Sequence, residues 1–185
     1  MTTIIIIVIL AILAITYIVC YNNLVKLRNY VQESWAQIDV QLKRRNDLIP
    51  NLLATVKGYA KYEQSTLEKV TALRSQLMSM DTDADHQKAM AVSNELSNTL
   101  KSLFAVSEAY PDLKASTQYS NLMEELTNTE NKIAYSRQLY NSSVNNLNIK
   151  IETFPSNLVA KLHHFTKQQY LQTPDEEKTV PKVSF

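Results

Sequence analysis

Glycine is nearly absent from this chain: Gly58 is the only one in 185 residues. Sheets and phosphate-binding loops need glycine where the backbone turns sharply or approaches a ligand. Its scarcity therefore argues for long helices and excludes a P-loop or a dinucleotide fingerprint. Cysteine is as scarce. Cys20 stands alone, which rules out an intrachain disulfide. It reads as a small apolar residue finishing a membrane helix, with acylation as the alternative. An excess of one charge is missing too. Lys and Arg number 19 against 18 Asp and Glu, a formal net charge of +1, so no strong electrostatic partner is implied and nucleic acid is disfavoured. Histidine is limited to His86, His163 and His164. None has a nucleophile with supporting context, so no Ser–His–acid or Cys–His arrangement can be assembled. No enzymatic activity and no cofactor are expected.

What the chain has in quantity stands at its beginning. Ile4 to Tyr21 reads IIIIVILAILAITYIVCY, without charge, Gly or Pro. About 18–20 apolar residues cross a bilayer as a helix. Ile4, Leu10, Leu13 and Cys20 belong to that run, and Tyr17 and Tyr21 fit the aromatic belt at the membrane–water boundary. A cleaved signal peptide needs a positive n-region and a small-residue cleavage site. Only Met1, Thr2 and Thr3 precede the run, and no A-x-A pattern follows it. A lipoprotein signal needs a small residue before the cysteine, where Val19 stands. Residues 1–21 are therefore expected to be a permanent single-pass anchor. Lys26 and Arg28 lie just beyond it, and the positive-inside rule then places the C-terminal side in the cytoplasm.

Downstream, prolines mark the joints. Leu24, Leu27, Val31, Trp35, Ile38 and Leu42 form one apolar stripe at gaps of three and four. No breaker separates them from the membrane run, so one continuous helix is expected from Ile4 to Arg45. A second helix should open near Asp47, with Pro50 in its first turn where a missing N–H costs nothing. Leu53, Val56, Ala60, Leu67, Val70 and Leu77 line it. Gly58 falls inside it, as a close helix crossing would explain. Ser79 to His86 reads as a turn. A third helix buries Met90, Leu96, Leu100, Leu103, Phe104 and Val106 and stops at Tyr110–Pro111. A fourth, from Ser116 to Thr153, keeps Leu122, Leu126, Ile133, Tyr140, Val144, Leu147 and Ile151 in coiled-coil-like register. Leu158, Val159 and Leu162 suit one short helix after Pro155. The pattern predicts an all-α protein: a transmembrane helix continuing into an up-down antiparallel four-helix bundle over residues 22–170, roughly 45–55 Å tall. Residues 171–185 read as a polar, flexible tail.

Candidate sites are few. Asp81, Asp83 and Asp85 resemble the opening of a calcium loop, but His86 and Val92 stand where that loop needs Gly and Glu, so a polar turn is expected. His163 and His164 are adjacent on a helix, diverge, and lack further ligands; they read as a solvated pair. The tyrosines, ten in all, include Tyr59, Tyr62, Tyr110, Tyr119, Tyr135 and Tyr140, and fit either packing or an interface. Lys43, Arg44 and Arg45 form the sharpest basic cluster. On a continuous helix they lie roughly 30–35 Å beyond the bilayer edge, several Debye lengths away, so their own membrane does not hold them. Salt bridges to Asp39, Asp47 or acids on another helix are expected, with contact to a neighbouring subunit as the functional alternative.

Four stretches carry a family resemblance. They are Tyr21-Asn22-Asn23-Leu24-Val25 with Leu27-Arg28-Asn29 and Trp35; Ile38 through Leu52, followed by Val56-Lys57-Gly58-Tyr59; Ala109-Tyr110-Pro111-Asp112-Leu113-Lys114-Ala115; and Glu125-Leu126, Thr129-Glu130-Asn131-Lys132-Ile133-Ala134, Arg137, Tyr140-Asn141 and Phe154-Pro155-Ser156-Asn157-Leu158. Together, from Tyr21 to about Tyr170, the chain resembles the LemA family of bacterial membrane proteins, and Pro181-Lys182-Val183-Ser184-Phe185 resembles that family's ending. Two departures stand out: Leu73-Arg74 replaces a frequent Ala-Arg, and His164 precedes Phe165 where a Gly is frequent. The resemblance implies a short anchor in the bacterial cytoplasmic membrane and a long antiparallel bundle, with no established catalytic residue or cofactor. The expected role is a membrane-anchored scaffold that self-associates into a homo-oligomer. The alternative is a monomeric or dimeric adaptor presenting its bundle to another membrane protein, such as a protease or sensor. The expected interface comprises Asp39, Lys43, Arg44, Arg45, Asp47, Glu130 and Arg137. Charge reversal at Arg44 or Arg45 is expected to break assembly and leave helicity intact.

Overall fold

A computed structural model describes residues 1–58, 64–107 and 109–172, which are mostly helical, with no strand among them. The helices are α1 (Thr2–Lys57), α2 (Gln64–Ser79), α3 (His86–Ser107), α4 (Pro111–Lys114), α5 (Thr117–Glu152) and α6 (Ser156–Leu162). Tyr59, Ala60 and Tyr62, the side chain of Val106, and the tail from 173 lie outside the described residues.

The first helix differs from the sequence expectation. It does not stop at Arg45 and restart at Asp47; it runs unbroken for 56 residues with Pro50 inside it. A helix interior proline removes one N–H and leaves the carbonyl four residues back without its partner. Here that carbonyl belongs to Asn46, and Arg74 of α2 donates its Nε–H to it at 2.8 Å. The neighbours Ile49 and Leu52 are fully buried, so tertiary packing holds the turn that the proline disfavours. Gly58 also falls outside its expected place. It follows the end of α1, and among the described residues an added Cβ would meet the Thr55 carbonyl at 3.6 Å, an ordinary van der Waals contact.

The chain divides into two compact units, Met1–Gln37 with Ser136–Tyr170, and Ile38–Tyr135 with the chain from Leu171. In the second unit, α2 and α3 pack as a helical hairpin. Its core joins Ile49, Leu52 and Val56 of α1 to Leu67, Val70 and Leu77 of α2, Leu96, Leu100 and Leu103 of α3, Leu113 of α4 and Leu126 of α5. The aspartates of the turn serve the backbone. Asp81 Oδ1 accepts the N–H groups of Asp83 at 3.1 Å and Ala84 at 3.3 Å. Asp85 Oδ1 accepts the Lys88 N–H at 2.9 Å and so caps α3. Leu171, the first residue of the expected tail, is buried.

In the first unit, Leu24, Val31 and Trp35 of α1 and Tyr140, Val144 and Leu147 of α5 are buried as their spacing predicts. Trp35 meets Tyr140 edge to face at 6.0 Å, and Ser34 and Ser143 share a hydroxyl hydrogen bond at 2.9 Å. After α6 the chain returns along α5. The Asn148 amide donates to the Gln168 carbonyl and accepts the Gln168 N–H, both at 2.9 Å.

The reversal at the end of α6 explains one departure from the family pattern. Phe165 N–H bonds the Ala160 carbonyl at 2.9 Å and His164 N–H bonds the Lys161 carbonyl at 3.3 Å, the two bonds of a Schellman cap. The residue between must be left-handed, and His164 has φ of 55°. Glycine takes that conformation without steric cost. His164→Gly is therefore expected to stabilise the protein by about 0.5–1 kcal/mol, read as a raised Tm, whereas His164→Ala should give no gain.

Candidate functional site

The anchor residues keep their apolar side chains on the outside of the fold. Ile4, Leu10 and Leu13 are 66%, 60% and 60% exposed. A helix end with apolar residues on every side has no stable place in water. The long apolar start of α1 has the length and composition of a membrane span, and this is a membrane protein. Cys20 is buried at its end. There the Tyr17 hydroxyl lies 2.6 Å from His163 Nε2, and the Tyr21 ring packs on the His163 ring at 4.6 Å and on Phe165 at 6.3 Å. Arg28 stacks over Phe165 at 5.3 Å. His163 is exposed, as expected of a surface histidine, and is also tied to Tyr17 and Tyr21. Tyr17 and Tyr21 share a helix face, but no sequence signal pairs them with His163, which lies 146 positions from Tyr17.

The basic cluster separates into three different environments. Arg45 is 0% exposed. Its guanidinium donates to Glu130 Oε1 at 2.9 Å, Ser97 Oγ at 2.8 Å and Ser93 Oγ at 2.9 Å. Ser97 Oγ in turn donates to Glu130 Oε2 at 2.8 Å. One buried network therefore joins α1, α3 and α5. Desolvating an arginine costs several kcal/mol unless charge and hydrogen bonds compensate, as they do here (order of magnitude). Arg45 and Glu130 face each other inside one chain, so Arg45 presents no surface to a neighbour. Charge reversal at Arg45 would strike this core, and the expectation of intact helicity does not carry over to it. Arg44 pairs with Glu125 at 2.6 Å, both half exposed. Lys43 pairs with Asp39 at 2.6 Å on the surface; that hydrogen bond, together with the Asp39 charge, holds the Lys43 ammonium above its ordinary pKa. Arg137 is buried, and belongs to the first unit while the other six belong to the second.

Asp39 also accepts the Thr82 hydroxyl at 3.0 Å and opens onto a groove of about 410 Å³. Asp47 and Asp81 supply further carboxylates to it, and Leu77, Met78 and Met80 its apolar wall. Lys43 stands in the same lining. Among the expected interface residues, Asp39, Lys43 and Asp47 therefore share one concave surface. The contribution of α2 to it was not legible in the sequence, because Met78 and Met80 fall at a helix end without periodic signal. Among the described residues no group of three metal-ligating side chains converges.

Residues 34–185 match the model of the LemA family. The chain is 31% identical over 140 residues to Protein LemA of Metamycoplasma hominis, covering 76% of this chain and 63% of that protein. It is 26% identical over 180 residues to Magnetosome protein MamQ 2 of Paramagnetospirillum magneticum, covering 85% of this chain and 66% of that protein. To Magnetosome protein MamQ of Magnetospirillum gryphiswaldense it is 24% identical over 178 residues, covering 84% and 65%. The chain thus spans just under two thirds of the length of these relatives. Arg45, Glu130 and the proline-bearing turn of α1 all lie within the stretch matched by the family model, and this protein belongs to the LemA family.

Proposed function

We propose that this protein is a non-enzymatic scaffold of the bacterial cytoplasmic membrane, held by α1 and self-associating through its helical part. In this reading the helices stand as an up-down antiparallel bundle on the cytoplasmic side, as Lys26 and Arg28 beyond the anchor favour. The observation that carries it is the groove at Asp39, Lys43 and Asp47. It combines acids, a cation and an apolar wall, and large apolar side chains stay exposed in the same unit: Val40 at 59% and Met78 at 60%. Exposed methionine is enriched at protein interfaces, which favours an interface here over a small-molecule site. Many copies in one assembly would grip the bilayer collectively through their anchors.

Light scattering after size exclusion, with detergent mass subtracted, tests this. The full-length protein should elute as a narrow peak at many times 21.1 kDa. Met78→Asp and Arg44→Glu should each lower that mass with helicity unchanged, because an exposed ion pair such as Arg44–Glu125 stabilises the fold by only about 0–1 kcal/mol. A monomer or dimer in the unmodified protein overturns self-association and favours the adaptor.

A further inference from the structure

The short helix α6 does not bury the apolar residues its sequence offers. Val159 and Ala160 are buried, but Leu158 and Leu162 are 59% and 66% exposed, and Phe154 just before the helix is 79% exposed. Leu158 and Leu162 are four residues apart and share one face of α6. Three large apolar side chains turned outward at one end of a compact unit call for an occupant.

The position of α6 identifies that occupant. Leu162 adjoins His163, whose Nε2 lies 2.6 Å from the Tyr17 hydroxyl and whose ring packs on Tyr21. Both tyrosines close the apolar run that crosses the membrane. A run of that length fills the ~30 Å hydrocarbon core, which puts Tyr17 and Tyr21 at the headgroup boundary. The bond from Tyr17 to His163 therefore fixes the end of α6 at the same level. Adjacent Cα atoms are about 3.8 Å apart and one helical turn rises about 5.4 Å, so Leu162 and Leu158 cannot stand far from that boundary. The exposed Lys161 and His164 flank them. Apolar side chains beside an exposed lysine at this depth match an interfacial helix, whose apolar face enters the lipid while the long lysine stem reaches the headgroups.

We propose that α6 is a second membrane contact: Leu158 and Leu162, with Phe154 ahead of them, insert into the headgroup–acyl boundary of the leaflet from which α1 emerges. The proposal rests on the membrane anchoring stated above and not on self-association. A single membrane helix leaves the protein free to rotate about the anchor axis. A second contact beside it removes that freedom and gives the first unit one defined face toward the bilayer.

Nitroxide labels on the full-length protein in liposomes test this, in a Cys20→Ala background. Labels are placed singly by Leu158→Cys, Leu162→Cys, Leu10→Cys and Tyr30→Cys. Tyr30 is exposed on α1, about 14 Å beyond Tyr21, and serves as the aqueous reference. Collision rates with oxygen and with a water-soluble nickel chelate report depth. Labels at 158 and 162 should favour oxygen over nickel several-fold more than the label at 30, at about 5–10 Å depth. Nickel access at 158 and 162 equal to that at 30, with 10 still in lipid, overturns the second contact while the anchor stands. An aqueous label at 10 overturns the anchoring itself and this contact with it. Labels at 158 and 162 shielded from both reagents, with spin–spin broadening that disappears on dilution with unlabelled protein, would assign the face to a second copy and overturn the lipid contact.

Discussion

Glu130→Ala is expected to destabilise the fold by about 3–5 kcal/mol, and by more than Arg45→Met does. The order follows from burial. The Arg45 side chain is 0% exposed and the Glu130 side chain 30%. Removing Glu130 strands a full positive charge that cannot reach water and leaves it only hydroxyls and a carbonyl as acceptors. Removing Arg45 strands a carboxylate that can still be hydrated at its open edge, and methionine fills most of the vacated volume. The double variant Arg45→Met/Glu130→Leu should recover most of the loss, since two apolar groups of similar size replace a desolvated pair at little or no cost. Urea unfolding of the full-length protein in mild detergent, followed by far-UV circular dichroism, gives all three values. Equal losses in the two single variants, or a double variant as weak as Glu130→Ala, would show that the pair is solvated and not a core element.

The second large effect concerns the proline inside α1. Arg74→Ala should cost about 1–3 kcal/mol, because the Asn46 carbonyl that Pro50 leaves unpaired loses its only described donor, Arg74 Nε–H at 2.8 Å. In a Pro50→Ala background residue 50 regains its N–H, and the helix can satisfy that carbonyl by itself. The same Arg74→Ala change should then cost at least about 1 kcal/mol less. Pro50→Ala alone should stabilise the protein, since an interior proline costs a helix about 3 kcal/mol. A double-mutant cycle read by thermal unfolding measures the coupling. An Arg74→Ala cost that is identical in both backgrounds would separate Arg74 from the proline.

Both effects bear on how much of this protein was legible from its residues. The apolar run, the turn at Ser79 to His86, the extent of α5 and most of the buried stripe residues follow from composition and from spacings of three and four. These are local properties, and a helix of regular pitch converts them directly into faces. The expected break before Pro50 was also a local inference, and it failed because the compensating donor sits 28 residues away on α2. Likewise, three successive basic residues look alike in sequence. Their partners make them different: Asp39 one turn back for Lys43, Glu125 for Arg44 and Glu130 for Arg45. Of the seven residues expected at the interface, Asp39, Lys43 and Asp47 line a groove, whereas Arg45 and Arg137 are buried.

The family is carried by the linear stretches that a family model matches over residues 34–185. By itself, then, the sequence determined the helical class, an apolar run long enough to span a membrane, the family and the periodic core, because each depends on residues within a few turns of one another or on their order alone. Tertiary structure alone decided that Arg45 lies inside, that α1 passes through Pro50, and that His163 meets the belt tyrosines. Each of these rests on a hydrogen bond or ring contact between residues from 28 to 146 positions apart, and no periodicity along a single helix records which distant donor or acceptor will arrive to satisfy a buried polar group.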